Sequence, residues 1–221
     1  VKLSTSAVGI GALLLAVIAA ERARAEDDED LLPGPKTGTI AVAGGVRMTL
    51  PFGFLRSADA AGYPLASHTV GPALVLPLGY RIDKEWAVNI DFTYGLDQFN
   101  FAASDGKPPS SLRAQTFTLQ IGGQYTPQVG WGRLEPVFGF GVGYYLSTLT
   151  STDSALSLKS TESNATGFFV SVGLRYALTS QVGLNLEDRF ALATAKAGAT
   201  LGDVPVGGNT ASLGMYYAFR E

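Results

Sequence analysis

The 221-residue chain is 46% hydrophobic and 16% charged, with one histidine and no cysteine. A formal charge of −3, without clustered Lys and Arg, excludes a partner read through its phosphate backbone, and the lack of cysteine excludes disulfide bracing and thiolate-held metal. The length suits one domain, and 27 glycines without a Gly-X-Y period point to a backbone or packing role for glycine.

At the N-terminus, Lys2, the apolar run Ala7–Ala20 and the triplet Ala23-Arg24-Ala25 predict a cleaved export signal over residues 1–25. The run falls short of the ~20 residues of a comfortable membrane-spanning helix, so an uncleaved anchor is the alternative set aside. Residues 26–37 follow as an acidic, disordered tail and linker: five consecutive carboxylates, Glu26 to Asp30, precede Leu31-Leu32-Pro33-Gly34-Pro35. Those carboxylates lack the spacing of a calcium loop.

From residue 38 to 221 the dominant signal has period 2, the mark of β-strands. Ile40 to Leu50 alternates Ile40, Val42, Val46 and Met48 with Ala41, Ala43, Gly45 and Arg47. Val70 to Tyr80 is apolar at even positions but holds Pro72 and Pro77, which cannot donate to a ladder. In Trp86 to Asp97 the face Trp86, Val88, Ile90, Phe92, Tyr94, Leu96 opposes Ala87, Asn89, Asp91, Thr93, Gly95, Asp97. Phe117 to Tyr125, Leu134 to Leu146, Gly167 to Leu178, Val182 to Leu192 and Ala211 to Phe219 continue the rule, which makes eight strands. Connections alternate in length: 51–68, 98–112, 150–165 and 193–209 are long, whereas 82–85, 127–133 and 179–181 are short. Long loops on one side and short turns on the other are the habit of transmembrane barrels, and they put both termini in the periplasm.

The large side chains of the apolar face are too many for the interior of an eight-stranded cylinder, which side chains only just fill. The opposite face, with Gly45, Gly95, Gly122, Gly139, Gly141, Gly143 and Gly173, suits a narrow lumen. The apolar face is therefore expected to meet lipid, with closure of the sheet satisfying every backbone group. Trp86, Tyr80, Tyr125, Trp131, Tyr176 and Tyr217 fall near strand ends, as an interfacial girdle would. The expected fold is all-β: an eight-stranded antiparallel up-and-down transmembrane β-barrel.

The closing segment Leu213-Gly214-Met215-Tyr216-Tyr217-Ala218-Phe219, the run Phe138-Gly139-Phe140-Gly141-Val142-Gly143-Tyr144-Tyr145 and the pair Glu187-x-Arg189 resemble the small outer-membrane barrels of the OmpA, OmpX and OmpW type. The resemblance implies residence in the bacterial outer membrane and recognition of Phe219 by the assembly machinery, although Arg220-Glu221 follows the terminal aromatic. The implied surroundings are outer-membrane lipid and lipopolysaccharide, with a monomeric barrel and no cofactor or metal.

By parity Arg47, Asp91, Glu135, Arg175, Glu187 and Arg189 point into the lumen with Gln120 and Gln124. Buried charges must pair, so a plugging salt-bridge network is expected, with a narrow polar path as its alternative. Asp188 falls on the lipid face, which predicts either a bulge at 187–189 or an interfacial depth. Pro72 and Pro77 open a second reading, a lateral gap for a small hydrophobic molecule. A third, a lipid A-modifying enzyme, has only His68 beside Ser67 to stand on and no base–nucleophile motif. No catalytic residue is therefore assigned, and the expected role is structural or one of surface interaction through the long loops.

Overall fold

A computed structural model describes residues 37–48, 65–102, 109–129, 131–151, 161–196 and 203–220. The predicted signal at 1–25 and the tail up to residue 36 lie outside the described residues, and Thr37 already belongs to the first strand. The strands are β1 (Thr37–Met48), β2 (Leu65–Thr69), β3 (Gly71–Arg81), β4 (Trp86–Phe101), β5 (Ser110–Tyr125), β6 (Leu134–Ser151), β7 (Thr161–Ala177), β8 (Val182–Lys196), β9 (Asp203–Pro205) and β10 (Gly208–Arg220).

Every pairing between them is antiparallel, and the sheet closes on itself. The order runs β10–β1–β3–β4–β5–β6–β7–β8, and β8 pairs back to β10. Eight staves result, because β2 continues β3 along β4, and β9 continues β10 along β8. Closure rests on the full length of β1, from Thr37 against Arg220 to Met48 against Asn209. The short connections are tight turns held by their own side chains, as polar turn residues do. Asp83 Oδ1 accepts from the amides of Glu85 at 2.8 Å and Trp86 at 2.7 Å, and Thr179 Oγ1 accepts from Val182 N at 3.0 Å.

The period-2 pattern sorts the faces as sequence parity requires. Ile40, Leu74, Ile90, Ile121, Phe140, Phe168, Leu192, Leu213 and Met215 stand exposed on the outer surface, while Thr93, Thr118, Gln120, Asn185 and Ser212 are buried inside. The strands run further than their apolar periodicity foretold: β5 begins at Ser110 rather than 117, and β7 at Thr161. The physical reason is a reversal of polarity at the end with the long connections. There the outward positions become Gln98, Asn100, Arg113, Thr148 and Glu162, while Phe99, Phe101, Leu112 and Leu149 turn inward and are buried. Alternation persists with the opposite sign, as in a soluble sheet with its core inside.

The second stave is irregular, and the two prolines explain where. Residues of opposite parity aim their N–H groups at opposite neighbours, so Pro72 and Pro77 weaken different ladders. Along β4 the register passes from Thr69 against Gln98 to Ala73 against Gly95, one residue more on the proline side, a bulge. Along β1 it passes from Ile40–Leu78 to Ala43–Val75, leaving Ala41 and Val42 unpaired opposite Pro77 and Leu76. The Asp188 alternatives resolve against a bulge: Glu187, Asp188 and Arg189 pair in unbroken register with Ser212, Ala211 and Thr210 on one side and Gly173, Val172 and Ser171 on the other. Asp188 is exposed on the outer face between Val172 and Ala211.

Glycine earns its place where the lumen is tightest. Gly122 pairs with Gly141 across β5 and β6, and the ring of Phe169 lies against both, so a Cβ on either would collide with that ring and with a backbone oxygen. Replacing Gly141→Val should cost about 1–3 kcal/mol through overpacking, read as a lower urea midpoint for the folded, heat-modifiable band. Replacing Asp188→Leu should raise the same midpoint, reflecting a stabilisation of up to about 2 kcal/mol, since a lipid-facing carboxylate is removed.

Candidate functional site

The inward positions of the staves build three tiers of charge across the lumen. The tier nearest the short turns holds Arg81 of β3, Glu135 of β6 and Arg175 of β7. Arg81, the last residue of β3, gives Nη2 to Glu135 Oε1 at 2.7 Å and Nη1 to the carbonyl of Lys84 at 3.3 Å. Arg175 gives Nη2 to Gln124 Oε1 at 2.8 Å, and Asn89 Nδ2 donates to the same oxygen at 2.7 Å. The Arg175 guanidinium also stands 5.9 Å from the ring centre of Tyr216. Burial of Arg81 and Glu135 is nearly complete, so each depends on the other to offset its lost hydration.

The middle tier centres on Arg189. Its Nη2 meets Asp91 Oδ2 at 2.8 Å and Glu187 Oε1 at 2.6 Å, its Nε reaches Glu187 Oε1 at 3.0 Å, and its Nη1 donates to Gln120 Oε1. Gln120 in turn donates to the Tyr145 hydroxyl at 2.9 Å, and the guanidinium lies 4.9 Å from the centre of the Phe169 ring. One cation thus holds two carboxylates from β4 and β8, with a guanidinium fork suited to several acceptors at once. Glu187 and Arg189 share the lumen because they are two apart on one strand.

The third tier lies toward the long connections. Arg47 Nε contacts Asp97 Oδ2 at 3.2 Å, and its Nη2 donates to the carbonyls of Val206 and Gly207. Those carbonyls are turned inward where β9 passes into β10, next to Gly208 at φ 143°, a conformation that side-chain-bearing residues rarely adopt. Beyond this tier the lining is apolar, with Phe99, Phe101, Leu112 and Leu149 buried. Two small cavities lie beside the tiers: the one edged by Pro77, Gly79, Asn89 and Arg175 and the one edged by Val75, Thr93 and Arg189 each measure about 10 Å³, room for about one water. Asp91 Oδ1, Glu135 Oε2 and Arg175 Nε are buried without a hydrogen-bond partner in the protein, and of the three residues Arg175 edges the first of these cavities.

All six lumen residues expected from parity are thus on the inner face, but they form separate tiers rather than one network. Asp91, Glu187 and Arg189 come together; Arg47, Glu135 and Arg175 do not join them directly. The partners that sequence reasoning left out are Asp97 and Arg81. Asp97 already stood on the inward face of its strand but was not counted among the lumen charges, and Arg81 lies one step beyond the last strand residue assigned; extending the alternation by that step would have found it. Ser67, beside His68, has its hydroxyl engaged by Asn100 Nδ2 at 3.0 Å. Among the described residues no group of three His, Asp or Glu side chains could hold a metal. At the seam, Phe219 pairs with Gly38, and its ring covers that glycine from outside.

The sequence profile of the outer membrane protein beta-barrel domain matches residues 10–219. Among solved structures, the fold is similar to that of the outer membrane protein OprG from Pseudomonas aeruginosa, at 16% identity and a TM-score of 0.61, covering 86% of this chain and 99% of that one. Neisserial surface protein A shows 14% identity and a TM-score of 0.48, with 83% and 97% covered. The N-terminal barrel of Pseudomonas aeruginosa OprF shows 14% and 0.47, with 84% and 99% covered. At 16% identity the likeness to OprG speaks for the fold alone. The sequence has no significant match among functionally curated proteins.

Arg189→Ala should destabilise the barrel by about 3–5 kcal/mol, because it strands two buried carboxylates together. Glu187→Ala should cost less, since Asp91 still balances Arg189. Urea-induced unfolding of the lipid-reconstituted protein would rank the two, and an equal, small effect would contradict the tiered arrangement.

Proposed function

We propose, from the premise that this chain belongs to the outer membrane protein beta-barrel domain family, that it is a plugged outer-membrane barrel with a structural or surface-interaction role and no catalytic step. The carrying observation is the series arrangement of the tiers: Arg81–Glu135, Asp91–Arg189–Glu187 and Arg47–Asp97 lie at successive levels, and any one left closed blocks the lumen. In this reading both termini face the periplasm, the barrel is a monomer surrounded by outer-membrane lipid and lipopolysaccharide, and Phe219 is the mark read by the assembly machinery. What the protein offers to the outside is then its long connections and the upward extension of β4 to β7.

Planar-bilayer recording tests the plug: the wild-type barrel should pass no steady current above bare lipid, and an ohmic conductance in the wild type would refute it. Orientation has its own test, clean because the chain has no cysteine. In intact cells an impermeant maleimide should label Glu162→Cys and spare Asp83→Cys; the reverse pattern would invert the barrel.

A second reading, passive passage of a small hydrophobic molecule through the wall, is favoured by one observation. The β1–β3 ladder is interrupted at Ala41 and Val42 opposite Pro77, and the cavity behind it is edged by Ala41, Pro77 and Gly79. Under that reading the amides around the interruption should exchange hydrogen faster than those of β4. Equal protection along both strands would leave no gap to pass through.

A further inference from the structure

Where the outer surface changes from apolar to polar, one region differs from the rest in charge and in chemistry. Across four adjacent staves the outward residues fall into one ladder row, Thr69–Gln98–Arg113–Thr150, and Ser67 pairs with Asn100 in the row beyond. A hydrogen-bond chain fixes the amides: Gln98 Nε2 donates to Asn100 Oδ1 at 3.0 Å, and Asn100 Nδ2 donates to Ser67 Oγ at 3.0 Å. Arg113 is exposed and has no ion pair among the described residues. The rows below, with Tyr94, Phe117 and Leu146 paired side by side, belong to the apolar band.

Height decides what such a patch meets. Arg113 is four residues beyond Phe117, which at the usual rise and tilt of a barrel strand is about 10 Å along the axis. The acyl chains end at the apolar band, so this is the level of lipid headgroups. A guanidinium fork presents paired donors that match phosphate oxygens, and hydroxyls and amides at either side suit the sugar that carries a phosphate in an outer-leaflet glycolipid. Among the described residues the nearest outward carboxylate on the same side, Glu162, stands on β7, two staves from Arg113, where it pairs with Thr148.

We propose that the outward row Thr69–Gln98–Arg113–Thr150, with Asn100 and Ser67 behind it, is a binding surface for the phosphorylated sugar headgroup of a lipid in the surrounding leaflet. The proposal deepens the reading of the chain as a lipid-embedded barrel, with the long-connection end outward. It gives the patch one occupant, the anionic glycolipid, whose phosphate sits in the Arg113 fork while the amides and hydroxyls bind the ring.

The full-length barrel is reconstituted in nanodiscs containing equal amounts of bisphosphorylated lipid A and the same lipid stripped of its phosphates. Lipid retained per barrel after mild detergent exchange is counted by mass spectrometry. The wild type should retain the phosphorylated form preferentially, and Arg113→Gln should lower that preference about fivefold, the scale of one basic side chain at an anionic lipid surface. Thr194→Ala, outward on β8, should leave it unchanged. An unaltered preference in Arg113→Gln, or an equal fall in Thr194→Ala, overturns the proposal; loss of the preference in inorganic phosphate, but not in chloride of equal ionic strength, shows a free-anion site and overturns the lipid assignment. If Arg113→Gln does not yield the folded band, Gln98→Ala carries the same test. Both leaflets of the disc are alike, so this result is independent of orientation, which the maleimide labelling decides separately.

Discussion

Closure of the sheet is the constraint from which the rest follows. In hydrocarbon an unpaired amide or carbonyl costs several kcal/mol, and a curved sheet with two free edges would expose a row of them. Pairing β1 with β10 along its whole length removes both edges. The ring of Phe219 covering Gly38 adds side-chain contact where that seam begins. Once the cylinder has eight staves, its bore is set, and between the charged tiers a large ring lies on the inner face where glycine gives way. Phe169 lying on Gly122 and Gly141 shows how the bore accommodates a large ring.

The same narrowness makes charge workable inside. A lumen wide enough for bulk water would hydrate Arg189 and Asp91 separately; this one leaves them buried, and each ion is offset by its neighbours. The long side chains reach across the bore to tie non-adjacent staves. Arg189 on β8 contacts Asp91 on β4, and Arg81 on β3 contacts Glu135 on β6. These bridges are the cross-braces of a cylinder whose wall is otherwise held by nearest-neighbour pairing. One ladder is interrupted at Pro77, where Ala41 and Val42 are left unpaired.

Period 2 carried most of the fold, because a strand with lipid on one side and a tight bore on the other tolerates few exceptions. Trp86 to Leu96 is such a strand, and its two faces were legible residue by residue. Reading failed where the outside stopped being lipid. From Gln98 onward the outer face is polar and the inner face holds Phe99 and Phe101, so a rule keyed to large apolar side chains outward saw a loop where a strand continues. The lumen residues were legible from parity alone, yet their partners were not, since which of several inward ions meet depends on the stagger between staves. Arg47 meeting Asp97 rather than Asp91 is decided by register, and sequence spacing carries no register across a long connection. The irregular second stave was visible through its prolines, and only the pairing showed that each interrupts a different ladder.

Orientation of the two faces is the claim on which the tiers, the polarity reversal and the headgroup patch all rest. A nitroxide scan along Phe168 to Leu174, one cysteine at a time in the lipid-reconstituted barrel, tests it directly. Relaxation by dissolved oxygen, which concentrates in hydrocarbon, should be strong at 168, 170, 172 and 174 and weak at 169, 171 and 173. Strong relaxation at the odd positions, or no alternation at all, would contradict it.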